Sequence, residues 1–233
     1  MTILVTRPEG DAAELKARLE AMGHDVLLAP LLSIAPEPIP AAAIADAAAL
    51  IMTSRNAAAA LAASNAAVIA RHLPIFAVGR ATAAKARALG FAHVIEGPGA
   101  AAGLSATIAT HLRPGAGVLV HLAGEHLAHD LAGDLRAMGY DVKTQRAYRA
   151  VASTSLPAVV AGRLAEGGIA AVVLLSPRTA SVWLNLAARQ GFDLTRIKHL
   201  CLSPKVADAL PAALRATAKI AGHPDIENLL TLL

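Results

Sequence analysis

Short aliphatic or β-branched runs alternate with longer Ala- and Leu-rich stretches of helical character along almost the whole chain. Parallel strands need a crossover between them and a helix is the usual one, so this alternation points to the α/β class with parallel sheets. The short runs predict strands near 2–5, 25–28, 48–52, 74–78, 92–95, 117–121, 140–143, 170–175, 198–202 and 217–221. The intervening stretches predict helices near 10–22, 56–71, 80–89, 101–112, 127–138, 156–166, 178–190, 204–215 and 224–232. Ten strands are many for one open sheet, and two five-stranded parallel sheets flanked by helices are more economical.

Internal repetition supports the same division. Arg18-Leu19-Glu20-Ala21-Met22-Gly23-His24-Asp25-Val26 returns as Asp134-Leu135-Arg136-Ala137-Met138-Gly139-Tyr140-Asp141-Val142, each a helix end, a terminating Gly and a strand start. Thr53-Ser54-Arg55-Asn56-Ala57 is echoed by Ser176-Pro177-Arg178-Thr179-Ala180, and Val78-Gly79-Arg80-Ala81-Thr82-Ala83, more weakly, by Leu202-Ser203-Pro204-Lys205-Val206-Ala207. The first motif opens the chain, but its echo closes the middle section. The repeat is therefore circularly permuted, with one domain (35–151) inserted into another (1–34 and 152–233). The Pro-rich segment 32–40 and the alternating segment 145–152 read as two extended crossings that pair into a two-stranded β connector. A cleft between the domains, lined by strand carboxyl ends, is the expected ligand site.

Five apolar runs end in a small or polar residue and then a base: Val5-Thr6-Arg7, Thr53-Ser54-Arg55, Val78-Gly79-Arg80, Ser176-Pro177-Arg178 and Ser203-Pro204-Lys205. Helix-forming sequence follows each, so the bases fall near helix N-termini, where unpaired N–H groups already favour an anion. A ligand with many carboxylates or phosphates fits this pattern. The same residue types also cap helices with no ligand at all.

Net charge +4 and a pI near 9.6 suit an anionic partner, but no Lys/Arg block marks a nucleic-acid arm, and 3% aromatics give little for base stacking. The single cysteine, Cys201, lies in an apolar run and reads as a buried inert thiol, consistent with a reducing compartment. The chain enters directly into Ile3-Leu4-Val5, which argues against a signal peptide, and its apolar stretches are too interrupted to span a membrane. No G-x-S-x-G, Walker or C-x-x-C motif occurs. Gly97-Pro98-Gly99 with Gly103 lacks dinucleotide-loop spacing and reads as a turn. His121, His126 and His129 beside Glu125 match no standard zinc spacing and read as solvated or capping histidines.

Val5-Thr6-Arg7-Pro8, the Pro-rich crossing, Met52-Thr53-Ser54-Arg55-Asn56-Ala57, Ala77-Val78-Gly79 with Thr82-Ala83, Ala147-Tyr148-Arg149 and Leu175-Ser176-Pro177 with Ala180, taken in order, resemble the uroporphyrinogen-III synthase family. The resemblance implies a monomeric, cofactor-free cytoplasmic enzyme of haem and related tetrapyrrole synthesis, built of two α/β domains. It implies a linear tetrapyrrole substrate, hydroxymethylbilane, whose eight carboxylates suit basic helix starts. It further implies a hydro-lyase reaction that closes the macrocycle with inversion of the last ring, through an azafulvene cation and a spiro intermediate. No nucleic acid or membrane is involved, and transient contact with the preceding pathway enzyme is compatible with it. The resemblance puts Tyr148 near the crossing as the catalytic candidate. With the strand-end pattern, it gives Arg7, Thr53, Ser54, Asn56, Gly79, Thr82, Gly124, Ser176, Pro177, Arg178 and Ser203 as expected substrate contacts. The chain departs from the family pattern at Ala123, where relatives often carry Arg, and at Ser203 and Val206, where they often carry Gly and Thr. A two-domain protein that binds an anionic metabolite without chemistry, as sensor or carrier, would show the same hinge and basic helix starts.

Overall fold

The computed structural model describes residues 1–7, 9–127 and 129–233, with the side chains of residues 9–11 outside the description. Pro8 of the first strand-end motif and Ala128 of the expected helix 127–138 lie outside the described residues. The elements run β1 (Thr2–Val5), α1 (Glu9–Ala21), β2 (Asp25–Leu28), β3 (Leu32–Pro36), β4 (Ala47–Met52), α2 (Arg55–Ala62), α3 (Ala67–Ala70), β5 (Ile75–Ala77), α4 (Arg80–Ala88) and β6 (Val94–Glu96). They continue α5 (Ala101–His111), β7 (Val118–Gly124), α6 (Leu131–Ala137), β8 (Val142–Ala152), α7 (Ala158–Ala165), β9 (Ala171–Leu174), α8 (Pro177–Arg189), β10 (Lys198–Cys201), α9 (Pro204–Ala207), α10 (Ala212–Arg215), β11 (Lys219–Ile220) and α11 (Ile226–Leu230). The chain forms two compact units, Met1–Ser33 with Val151–Leu233, and Ile34–Ala150.

The first unit holds a five-stranded sheet in the order β11-β10-β9-β1-β2, parallel in each of its pairings. Alternation along β1 sends Leu4 to one face and Ile3 and Val5 to the other, and helices cover both, as a parallel sheet requires. Trp183, Leu186 and Ala187 of α8 and Val160 of α7 pack on the Leu4 face. Ala12, Leu15 and Leu19 of α1 and Leu229 and Leu230 of α11 pack on the other.

The second unit holds a six-stranded sheet in the order β3-β8-β7-β4-β5-β6. Leu50, Met52, Val120 and Leu122 face α2 and α4, and Ala49, Ile51 and Leu119 face Leu104 and Ile108 of α5 and Leu131 and Leu135 of α6. Leaving aside β3, this order reads β6-β5-β4-β7-β8 from the other edge, and it matches β11-β10-β9-β1-β2 position by position. Equivalent strands thus occur in a different chain order in the two units. The repeated helix end and strand start fall on α1–β2 and α6–β8, where Gly23 (φ +82°) and Gly139 (φ +89°) both terminate a helix in the left-handed conformation.

The first sheet has the five strands expected from the sequence and the two crossings pair as β3 and β8, but the expectation of five strands in the second sheet with the connector outside it is corrected. β8 runs without a break from the buried Val142 to Ala152, and β3 joins the same sheet beside it as a sixth strand. The helix expected over 56–71 breaks into α2 and α3 at Ser64, whose hydroxyl donates to the Leu61 carbonyl in competition with the helical ladder. The helix expected over 204–215 breaks at Pro211, which has no N–H to continue it. The helix expected from 127 begins at Leu131, because the Asp130 carboxylate accepts from the Gly133 amide at 2.9 Å and caps it there. Among the described residues no helix is long and apolar enough to cross a membrane.

Candidate functional site

In an open parallel sheet, two neighbouring strands whose connections leave in opposite directions open a crevice at their carboxyl ends. Each unit has one such point, β1 beside β9 in the first and β4 beside β7 in the second. Each of these points carries a pocket.

The pocket of the first unit, about 410 Å³, is lined by Thr6 and Arg7 after β1 and by Leu175, Ser176 and Thr179 after β9. Thr6 is 1% exposed and its hydroxyl donates to the Val173 carbonyl at 2.7 Å, which fastens the two strand ends together. Ser176 has extended backbone and caps α8 by accepting from the Thr179 amide at 3.1 Å, with the two hydroxyls 2.8 Å apart. Pro177 follows at the first helical turn, where its missing N–H costs nothing. Asp225 also lines this pocket and caps α11, accepting from the Asn228 amide at 2.7 Å. Hydrogen bonds from Asn228 hold its carboxyl below the usual carboxylate range, so the pocket rim carries one fixed anion.

The pocket of the second unit, about 300 Å³, is lined by Thr53 after β4, Gly99 after β6, Gly124 at the end of β7, His129, and Tyr148 in β8. The pairing of β7 with β8 slips here, so that Ala123 lies opposite Arg146 while Gly124 lies opposite Tyr148. Ala147 is the extra residue of this bulge. Its carbonyl accepts from the Glu37 amide at 2.8 Å, and that of Tyr148 accepts from the Glu125 amide at 3.1 Å. The slip re-aims the tyrosine across the strand end. A Cβ on Gly124 would stand 2.7 Å from the Tyr148 ring, so the absent side chain is what gives the ring its place. Ser54 caps α2, accepting from the Asn56 amide at 3.1 Å.

His121 is not solvated and caps nothing, which corrects the sequence expectation for it. It is 1% exposed within β7, and its Nε2 lies 3.3 Å from the Thr53 hydroxyl. Burial pushes its pKa down to about 4, with Asp130 opposing. His129 is hydrogen-bonded to Asp134, and His126 is exposed beside Glu125.

The structure brings Arg7 and Ser176 together in one pocket and Thr53, Gly124 and Tyr148 in the other. Ser54, Asn56, Gly79, Thr82, Pro177, Arg178 and Ser203 stand at the adjoining helix starts and, among the described residues, are not part of either lining. Thr82 is 5% exposed inside α4. Gly79 is buried, and a Cβ there would meet the Gly99 Cα at 2.7 Å, so it brings the loop after β6 against the start of α4. Arg55, Arg80 and Lys205 are exposed at their helix starts. Sequence reasoning missed Thr6, Thr179, Asp225 and His121. A histidine at an inward position of a buried strand was the available signal for the last, and the Asp225–Asn228 cap spacing for the third.

The family model described as Uroporphyrinogen-III synthase HemD matches residues 13–231. Among solved structures, the uroporphyrinogen-III synthetase from Helicobacter pylori 26695 is similar at TM-score 0.68 and 17% identity, over 99% of this chain and 97% of that one. A mutant uroporphyrinogen III synthase from the extremely thermophilic bacterium Thermus thermophilus is similar at TM-score 0.51 and 18% identity, over 99% of this chain and 96% of that one. At these identities the likeness is one of fold. No curated protein is significantly similar in sequence.

Proposed function

The chain belongs to the uroporphyrinogen-III synthase family, enzymes that close hydroxymethylbilane into uroporphyrinogen III with inversion of the last ring, and we propose how its own residues serve that reaction. The observation that carries the assignment of roles is the pair of pockets at equivalent strand ends, the first lined by Arg7 and the hydroxyl residues Thr6, Ser176 and Thr179, the second by the hydroxyl residues Thr53 and Tyr148. Donors at helix starts are what a polycarboxylate needs.

In this reading the side chains of Arg7 and Ser176 take carboxylates in the first pocket. Thr53 and the backbone around Gly124 take others in the second, beside helix starts held by Ser54 and Gly79. Asn56, Thr82, Pro177, Arg178 and Ser203 shape those helix starts. The Tyr148 hydroxyl gives its proton to the departing hydroxyl group, so that the carbon–oxygen bond breaks, water leaves and the azafulvene cation forms. The substituted carbon of the last ring then attacks, and fragmentation with re-closure yields the inverted ring. Most of this reactivity belongs to the pyrroles. The chain contributes positioning and electrostatic stabilisation, and it suppresses the spontaneous closure that leaves the ring uninverted. The departures at Ala123 and Ser203 leave backbone donors where relatives often have a side chain or a glycine. We further propose that the protein works as a cytoplasmic monomer of 23.7 kDa, touching the preceding enzyme of the pathway only transiently. Gel filtration against standards checks the first part.

The test supplies hydroxymethylbilane, oxidises the product and separates the uroporphyrin isomers by chromatography. The proposal expects type III in excess at a rate above the blank. Type I alone at the blank rate contradicts it, and tight substrate binding with that same outcome would favour the non-catalytic binding protein.

A further inference from the structure

A histidine buried in a strand must place two ring nitrogens where no water can help. His121 stands in β7 between Leu119 and Ala123 on the face covered by α5 and α6, with Ile51 of β4 and Thr144 of β8 as its register neighbours. Its Nε2 is 3.3 Å from Thr53 Oγ1, while its buried Nδ1 has no hydrogen-bond partner. Thr53 lines the second pocket, and the contact spans β4 and β7, the two strands whose ends create that pocket.

The two neutral tautomers differ in consequence. With the proton on Nδ1, a buried N–H would be orphaned, and Nε2 would accept from Thr53 and use up the hydroxyl proton. With the proton on Nε2, the ring donates to Thr53 Oγ1, and the unmet group is only the Nδ1 lone pair. Buried structures tolerate under-satisfied acceptors better than orphaned donors. The imidazolium is disfavoured by the apolar surroundings.

We propose that His121 is a positioning residue: it keeps the Nε2–H tautomer and donates to Thr53 Oγ1, which leaves the Thr53 proton to point into the pocket as a donor to a substrate carboxylate. The inference rests on the reading of Thr53 as a substrate contact. Without the histidine, the threonine hydroxyl rotates freely and alternates between donor and acceptor, and an acceptor facing a carboxylate repels it.

The test has a spectroscopic arm and a kinetic arm. In ¹⁵N-labelled protein at neutral pH, the ring of His121 should show Nε2 protonated and Nδ1 bare, and a protonated Nδ1 overturns the proposal whatever the activity. In kinetics, His121→Leu should raise KM for hydroxymethylbilane by about 3- to 10-fold, the range of one neutral hydrogen bond, with kcat little changed. Its melting temperature should stay level or rise, because a buried orphan atom is removed. His121→Gln, which returns an amide donor near Nε2, should recover most of the loss. The double change His121→Leu, Thr53→Val should be no worse than Thr53→Val alone. An unchanged KM in His121→Leu, or additive losses in the double change, overturns the proposal. Wild-type protein that makes no type III isomer defeats the functional reading instead, and the tautomer is then decided by the spectrum alone.

Discussion

Tyr148 and Gly124 meet because a strand slip and a missing side chain coincide at one place. Two predictions separate the hydroxyl from its placement. Tyr148→Phe keeps the ring on Gly124 and removes only the hydroxyl, so turnover should fall about tenfold to a hundredfold, at or below the low end of what a general acid contributes. A rate equal to the blank would make acid catalysis dominant, and full activity would make the tyrosine structural. Gly124→Ala puts a Cβ 2.7 Å from the ring and forces it off the strand end, so it should cost more activity than Tyr148→Phe. Comparison of kcat for the two variants settles their order. In the sequence, Tyr148 stood out only through its family resemblance, since the register slip that aims it depends on Ala147 being buried against neighbouring strands. His121 was misread because spacing alone does not say that β7 is covered on both faces.

At the scale of elements, the strand-end motifs were readable because they are local chemistry. Ser54 and Ser176 are caps by residue type and position, and both hold their helix starts as such residues do. What sequence could not give is which helix starts open onto a pocket, since that depends on strand order and not on the motif. Hence Arg7 lines a pocket while Arg80, in a similar setting, is exposed at the start of α4. Ser176→Ala should cost about 1 kcal/mol of stability, the usual value of an N-cap, together with a rise in KM. Gly79→Ala should cost more, roughly 1–3 kcal/mol, because the added methyl meets the Gly99 backbone, which has no rotamer to yield. Thermal unfolding of the two variants side by side checks the ranking, and equal losses would mean the loop after β6 moves aside freely.

Over the whole molecule, the different chain order of equivalent strands in the two sheets gives each unit a pocket of the same origin, and the sequence repeats are legible because helix ends, caps and strand starts recur together. The long β8 was not anticipated, since its alternation past residue 145 reads equally well as an extended crossing. Burial also sets an acid limit on the molecule. An unfolded imidazole takes its proton near pH 6.5, while buried His121 resists until about 4, and His199, which accepts from Trp183 Nε1, is lowered in the same direction by burial. The unfolded chain therefore binds more protons below pH 6.5, and this share of stability, intact above it, is lost as pH falls towards 4. For His121 the loss between pH 7 and 5 is roughly 2 kcal/mol. Urea unfolding at the two pH values should show a smaller drop in His121→Leu than in the wild type, and identical drops would contradict the assignment. The central claim is that donors at both strand-end pockets hold the carboxylates of the substrate. It is tested most directly by kcat/KM for type III formation along a salt series in wild type, Arg7→Ala and Thr53→Val. Charge steering is screened beyond about 8 Å at physiological salt, so the Arg7→Ala line should be lower and flatter, while Thr53→Val should be lower but parallel to the wild type. Three coincident lines would contradict the account.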